Sequence, residues 1–122
     1  MKRTIIFLAV SLAFAGFAAA HPPSDIAVSS DVKSGEVKLS VAHKVKDAAQ
    51  HYIYEIVVKV NGKQAVRQDA VTQTSADSQE VVYVIPGLKE GDKIEVYAEC
   101  NKMGDMKKTF AAGSEKAEKK GK

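Results

Sequence analysis

Residues 51–70 read HYIYEIVVKVNGKQAVRQDA, and this stretch decides the fold. Tyr52, Tyr54, Ile56, Val58 and Val60 fall on one face of an extended chain, and Ile53, Glu55, Val57 and Lys59 on the other. A period of two sustained from 52 to 60 is strand patterning. Asn61-Gly62 follows, the residue pair that accepts positive φ at both positions of a tight hairpin turn. The chain is therefore expected to reverse at 61–62 and return as a strand over 63–70.

The same period extends outward in both directions. Ile26 and Val28 alternate with Asp25, Ala27 and Ser29, and Val37, Leu39 and Val41 with Glu36, Lys38 and Ser40. Residues 80–85 form another apolar run, and Ile94, Val96 and Ala98 alternate with Lys93, Glu95, Tyr97 and Glu99. Turn signals separate these runs: Ser34-Gly35, Pro86-Gly87 and Glu90-Gly91-Asp92. Strands over 25–30, 35–43, 51–60, 63–70, 80–85 and 93–100, with room for one more, predict an all-β fold. The expected architecture is an immunoglobulin-like antiparallel β-sandwich of about seven strands.

A chain of 122 residues, 45% hydrophobic and 27% charged, is enough for one domain and excludes collagenous, coiled-coil and wholly disordered classes. The first residues read as a secretory signal: Lys2 and Arg3, an apolar run over 5–17, then Ala18, Ala19 and Ala20 as a small-residue cleavage site. The expected organisation is a signal peptide at 1–20, a β-sandwich at 21–112 and a basic disordered tail at 113–122. Cleavage after Ala20 implies a periplasmic or secreted protein, leaves no integral membrane span, and makes His21 the first residue. The net charge of +3 owes much to Lys2, Arg3 and the tail lysines. It gives no reason to expect a nucleic-acid partner. Association into a homo-oligomer is compatible with the sequence.

In an oxidising compartment a lone thiol is a liability. Cys100 is the single cysteine, and it is expected to be buried, paired between chains, or held as a metal thiolate. If successive strands alternate in direction, His21 precedes a descending strand, His43 ends an ascending one, His51 begins a descending one and Cys100 ends an ascending one. All three histidines of the chain and its one cysteine then meet at one pole. His43 continues the inward series of Val37, Leu39 and Val41, and Cys100 that of Ile94, Val96 and Ala98. Imidazole with thiolate suits iron, copper or zinc rather than magnesium or calcium.

These residues carry a resemblance. His21-Pro22-Pro23, His43, His51-Tyr52-Ile53 and Cys100-Asn101-Lys102-Met103-Gly104 are similar to the motifs of the iron-binding domain of desulfoferrodoxin and neelaredoxin, the superoxide reductases. The resemblance covers about residues 21–110. It implies a mononuclear non-haem iron with His21, His43 and His51 as equatorial ligands and Cys100 as axial ligand. It also implies one-electron reduction of superoxide to hydrogen peroxide, with electrons from an unknown donor. Met103 stands where the family has a fourth histidine. The α-amine of His21, freed by cleavage, is expected to supply the missing nitrogen. Lys44 or Lys46 could set a positive charge near an anionic substrate.

Two other classes fit the same residues. A periplasmic copper-binding or electron-transfer protein would use the N-terminal His21 with His, Cys and Met ligands. A metal-free extracellular binding sandwich would bury Cys100 as a small apolar side chain. No Gly-x-Ser-x-Gly elbow and no phosphate-cradling glycine loop is present.

Overall fold

A computed structural model describes residues 21–113. The signal peptide and nearly all of the basic tail expected from the sequence lie outside the described residues. The described residues form seven strands: β1 (Asp25–Asp31), β2 (Glu36–Ala42), β3 (Ile53–Val60), β4 (Lys63–Asp69), β5 (Ser78–Val84), β6 (Lys93–Cys100) and β7 (Asp105–Ala111). They build a three-stranded sheet, β1-β2-β5, and a four-stranded sheet, β4-β3-β6-β7. Every pairing is antiparallel. This is the sandwich that the alternation predicts. Among the described residues no helix is long and apolar enough to cross a membrane.

The inward faces form one core. Ile26, Val28, Val37, Leu39 and Val41 come from the first sheet, and Ile53, Ile56, Val58, Ile94, Val96 and Ala98 from the second. Burial of such apolar surface on both faces is what holds two sheets together. Lys108 of β7 reaches across to Asp25 of β1 at 2.8 Å and ties the two sheets along one edge. The expected hairpin forms, with Asn61 at φ 50° and Gly62 at φ 84°, the positive pair that such a turn needs.

One expected face is corrected. The register of β3 against β6 shifts between Ile53 and Glu55. Ile53 is buried, and so are Ile56 and Val58 on the far side of the shift. The bulge therefore splits the series: Tyr54 does not share the core face of Ile56 and Val58. Its hydroxyl donates to Glu99 on the outer face of the second sheet. A bulge inserts one residue and flips the alternation beyond it, which a strict period of two conceals.

The tyrosines give the fold a pH signature. Burial pushes the Tyr83 hydroxyl up to about 12, and it donates to Gln68 at 2.6 Å. Tyr97 is raised chiefly by its hydrogen bond to Glu99. In the unfolded chain tyrosine ionises near 10, so above that pH the unfolded state loses protons that the folded state keeps. Stability is expected to fall as pH rises from about 10 to about 12. Denaturant melts at stepped alkaline pH, with tyrosinate absorbance read alongside, measure this. Tyrosines that all ionise near 10 in the folded protein would contradict it.

Candidate metal centre

His43 follows β2, and its side chain is fully buried. Its backbone N–H donates to the Asp77 carbonyl at 3.0 Å, and its carbonyl accepts from Gln73 Nε2 at 2.7 Å. The start of the β2–β3 connection is thus held against the β4–β5 connection.

His51 sits at the other end of that connection. A tight turn precedes it: Ala49 N–H donates to the Asp47 carboxylate, and the backbone N–H groups of Gln50 and His51 donate to the Asp47 carbonyl. This is the Asx-type turn that aspartate favours. Asn101 then fixes the chain on both sides of His51. Its Oδ1 accepts from Tyr52 N–H at 2.9 Å, its Nδ2 donates to the Gln50 carbonyl at 3.1 Å, and its own N–H donates to the Tyr52 carbonyl.

Cys100 ends β6, next to Asn101, so the asparagine that grips the His51 segment also carries the cysteine with it. Cys100 is 3% exposed. Its Sγ lies 3.0 Å from His51 Nε2 and accepts a longer contact from the Lys102 backbone N–H at 3.4 Å. The loop closes through Cys100 N–H donating to the Gly104 carbonyl at 2.9 Å.

These placements bring one ligand atom each from His43, His51 and Cys100 within 4.8 Å of one another. The three histidine rings also cluster. The His21 centroid lies 4.8 Å from that of His43 and 5.5 Å from that of His51, and the His43 and His51 centroids are 4.7 Å apart. His21 thus reaches the same pole, but it stands outside the three-atom group. Its Nε2 faces the Lys44 carbonyl at 2.8 Å and its Nδ1 the Pro22 carbonyl at 3.0 Å. A ring rotation has to free one of these nitrogens before His21 can join. The cleavage that would expose the His21 amine lies outside the described residues.

The donor set fits a borderline transition metal. A buried imidazole, a half-buried imidazole and a thiol whose ligand atoms lie within 4.8 Å of one another are nitrogen and sulfur donors with no carboxylate among them, which disfavours hard cations. The electrostatics agree. Desolvation, and after it the nearness of His43, His21 and Lys102, lowers the His51 pKa. A lowered pKa keeps the imidazole neutral, and neutral imidazole is the ligating form.

Gln73 and Gln79 escaped the sequence reading. Both are 4% exposed, and both lie in or next to the polar 70–79 segment. No periodicity marks them. A glutamine in such a segment has the same signature whether it is solvated or buried. Met103 is 65% exposed and lines a cleft of about 370 Å³ with Cys100, Tyr52 and Tyr54. Lys44, Lys46 and Lys102 are exposed around the same pole. No family model, curated protein or solved structure matches the chain.

Proposed function

We propose that this is an exported mononuclear metal protein whose centre is the pole formed by His43, His51 and Cys100, completed by His21. The observation that carries the reading is the convergence within 4.8 Å of three ligand atoms, two from the opposite ends of the β2–β3 connection and one from the end of β6. The favoured metal is non-haem iron and the favoured reaction is that of the superoxide reductases, which the motifs from His21 to Gly104 resemble. When bound, ferrous iron supplies one electron to superoxide, which takes up two protons and leaves as hydrogen peroxide.

The chain's own residues do the rest. His43 offers a buried nitrogen and His51, its pKa lowered, a neutral one, and Cys100 offers a sulfur whose electron donation would tune the potential of the centre. Strand ends and the Asn101 bonds hold these atoms in place, so little ordering remains when the metal arrives. Exposed Lys44, Lys46 and Lys102 would add positive charge for an anionic substrate. The electron donor is a partner of unknown identity.

A copper-binding or electron-transfer role is the second reading. It is favoured by Met103, whose exposed thioether shares a cleft with Cys100; thioether with thiolate is the donor chemistry of cuprous ions. The two readings separate when the protein is loaded anaerobically with ferrous iron or with cuprous copper. Competitive chelators then rank the affinities, and superoxide disappearance is followed in each form. Superoxide consumption by the iron form, with hydrogen peroxide accumulating and an electron donor present, is the expected result. Iron-loaded protein that consumes superoxide no faster than metal-free protein would overturn the reductase reading, and tighter cuprous binding would favour the copper one.

A further inference from the structure

Granting the metal centre proposed above, we infer that Asn101 is its positioning residue. Its side chain adds one rung to the β3–β6 ladder past the last strand pair, and that rung holds Cys100 against His51.

The β3–β6 ladder ends at Ile53↔Cys100 on the side of the pole and at Val60↔Ile94 on the other. Carrying each register one residue further pairs Tyr52 with Asn101, and Asn61 with Lys93. Both pairs are closed in the same way. The asparagine N–H donates to its partner's carbonyl at 2.9 Å, and its Oδ1 accepts the partner's N–H, again at 2.9 Å. In a regular antiparallel rung a backbone carbonyl takes that second bond; here a side chain stands in for it. Each Nδ2 then reaches past the rung, Asn101 to the Gln50 carbonyl at 3.1 Å and Asn61 to the Asp92 carboxylate at 3.0 Å. Tyr52 N–H can only donate and the Gln50 carbonyl can only accept, so the two ends of the Asn101 amide are fixed by their partners.

A rung made by a side chain lets the main chain turn away at once. Lys102 N–H folds back to Cys100 Sγ at 3.4 Å, and the Gly104 carbonyl takes Cys100 N–H at 2.9 Å. The members of the rung are also the chain neighbours of two ligands: Cys100 precedes Asn101, and His51 precedes Tyr52. The bond to Gln50 secures the other side of His51. Rung and clamp together set Cys100 Sγ against His51 Nε2, 3.0 Å apart, although Asn101 touches neither atom. Groups that orient ligands from outside the coordination shell govern affinity in this way. Asn61 makes the matching rung at the other end of the ladder, away from the His43, His51 and Cys100 group. It is therefore a control with the same structural role and no ligand beside it.

The test compares wild type, Asn101→Ala and Asn61→Gly in the exported protein; glycine keeps the positive φ of residue 61. Backbone hydrogen exchange on the metal-free forms reads each rung. In wild type the N–H groups of Tyr52 and Lys93 are expected to exchange slowly. Asn101→Ala should release Tyr52 alone, and Asn61→Gly should release Lys93 alone. Titration with cobaltous ion, whose thiolate charge-transfer absorption reports on Cys100, then reads the ligands. Asn101→Ala is expected to bind about tenfold more weakly, with a weaker band. Asn61→Gly should keep the affinity and band of wild type while its melting temperature falls. If Asn101→Ala does not fold, Asn101→Asp replaces it. Its carboxylate still accepts from Tyr52 N–H but no longer donates to the Gln50 carbonyl, so Tyr52 stays slow and the band is still expected to weaken. A Tyr52 N–H that exchanges freely in wild type would overturn the inference. So would a folded Asn101 variant with an unchanged band, or an Asn61→Gly protein that loses affinity and band as Asn101→Ala does. Wild-type protein with slow Tyr52 exchange that takes up no cobalt, iron or copper would remove the metal reading and the positioning role with it, and leave the rung as structure alone.

Discussion

Replacing Cys100 with Ala is expected to cut iron affinity by more than about 100-fold, above the 10–100-fold typical of residues that only support a ligand. The visible sulfur-to-metal absorption of the oxidised protein should vanish with it. The argument starts from burial. Cys100 is 3% exposed at the end of a central strand and belongs to the core of the sandwich. Alanine fits the same inward position with a small loss of volume, so the two sheets stay together. What disappears is the only sulfur donor of the three-atom group, and with it the partner of His51 Nε2 at 3.0 Å. Two imidazoles bind iron far more weakly than two imidazoles and a thiolate. Competition with a chelator of known affinity reads the first effect, and absorbance after oxidation reads the second. A Cys100→Ala protein that holds iron as tightly as wild type, with the same spectrum, would assign Cys100 to the core alone.

The second large effect is expected at Gly104. This glycine has φ +94°, and a Cβ added there would come within 2.7 Å of Pro22 Cβ and 2.9 Å of Pro22 Cα. Backbone and ring cannot yield as a flexible side-chain tip can. Gly104→Ala must therefore push Pro22, and His21 with it, away from the pole, or distort the loop that carries Cys100. The left-handed conformation adds a cost of roughly 1–2 kcal/mol for any L side chain. Gly87 supplies the control: its φ is +77°, and nothing lies within 4 Å of an added Cβ. Both variants are expected to lose melting temperature, but only Gly104→Ala should lose metal affinity, by about tenfold if His21 contributes as other ligand-shell groups do. A one-residue extension ahead of His21, read in the same titration, reports whether the freed amine also binds. Affinity unchanged in both Gly104→Ala and the extended protein would remove the His21 segment from the centre.

Much of the fold was legible because its strands bury one face each. Val37, Leu39 and Val41, or Ile94, Val96 and Ala98, can alternate so cleanly only where the other face meets water. The seventh strand, Asp105–Ala111, was harder to see. Its partly buried apolar residues, Met106 and Phe110, are separated by Lys107, Lys108 and Thr109, as befits the edge of a sheet. The bulge at Tyr54 was illegible, since an inserted residue leaves no mark in composition. Only the register against β6 reveals that Tyr54 faces Glu99. At the candidate site, four rare ligand residues at strand ends were enough to place the pole. Gln73 was not recoverable in the same way. Its side chain makes four hydrogen bonds to three residues spread from 43 to 75, and contact of that kind is set by folding rather than by local pattern.

The most direct measurement is metal analysis with an optical spectrum on the protein purified from the exported fraction, beginning at His21. One iron per chain, with a visible band that appears on oxidation and is absent from Cys100→Ala, is the expected result. Protein that is folded, correctly processed and free of any transition metal, and that shows no melting shift on adding ferrous iron or copper, would contradict a metal centre at this pole.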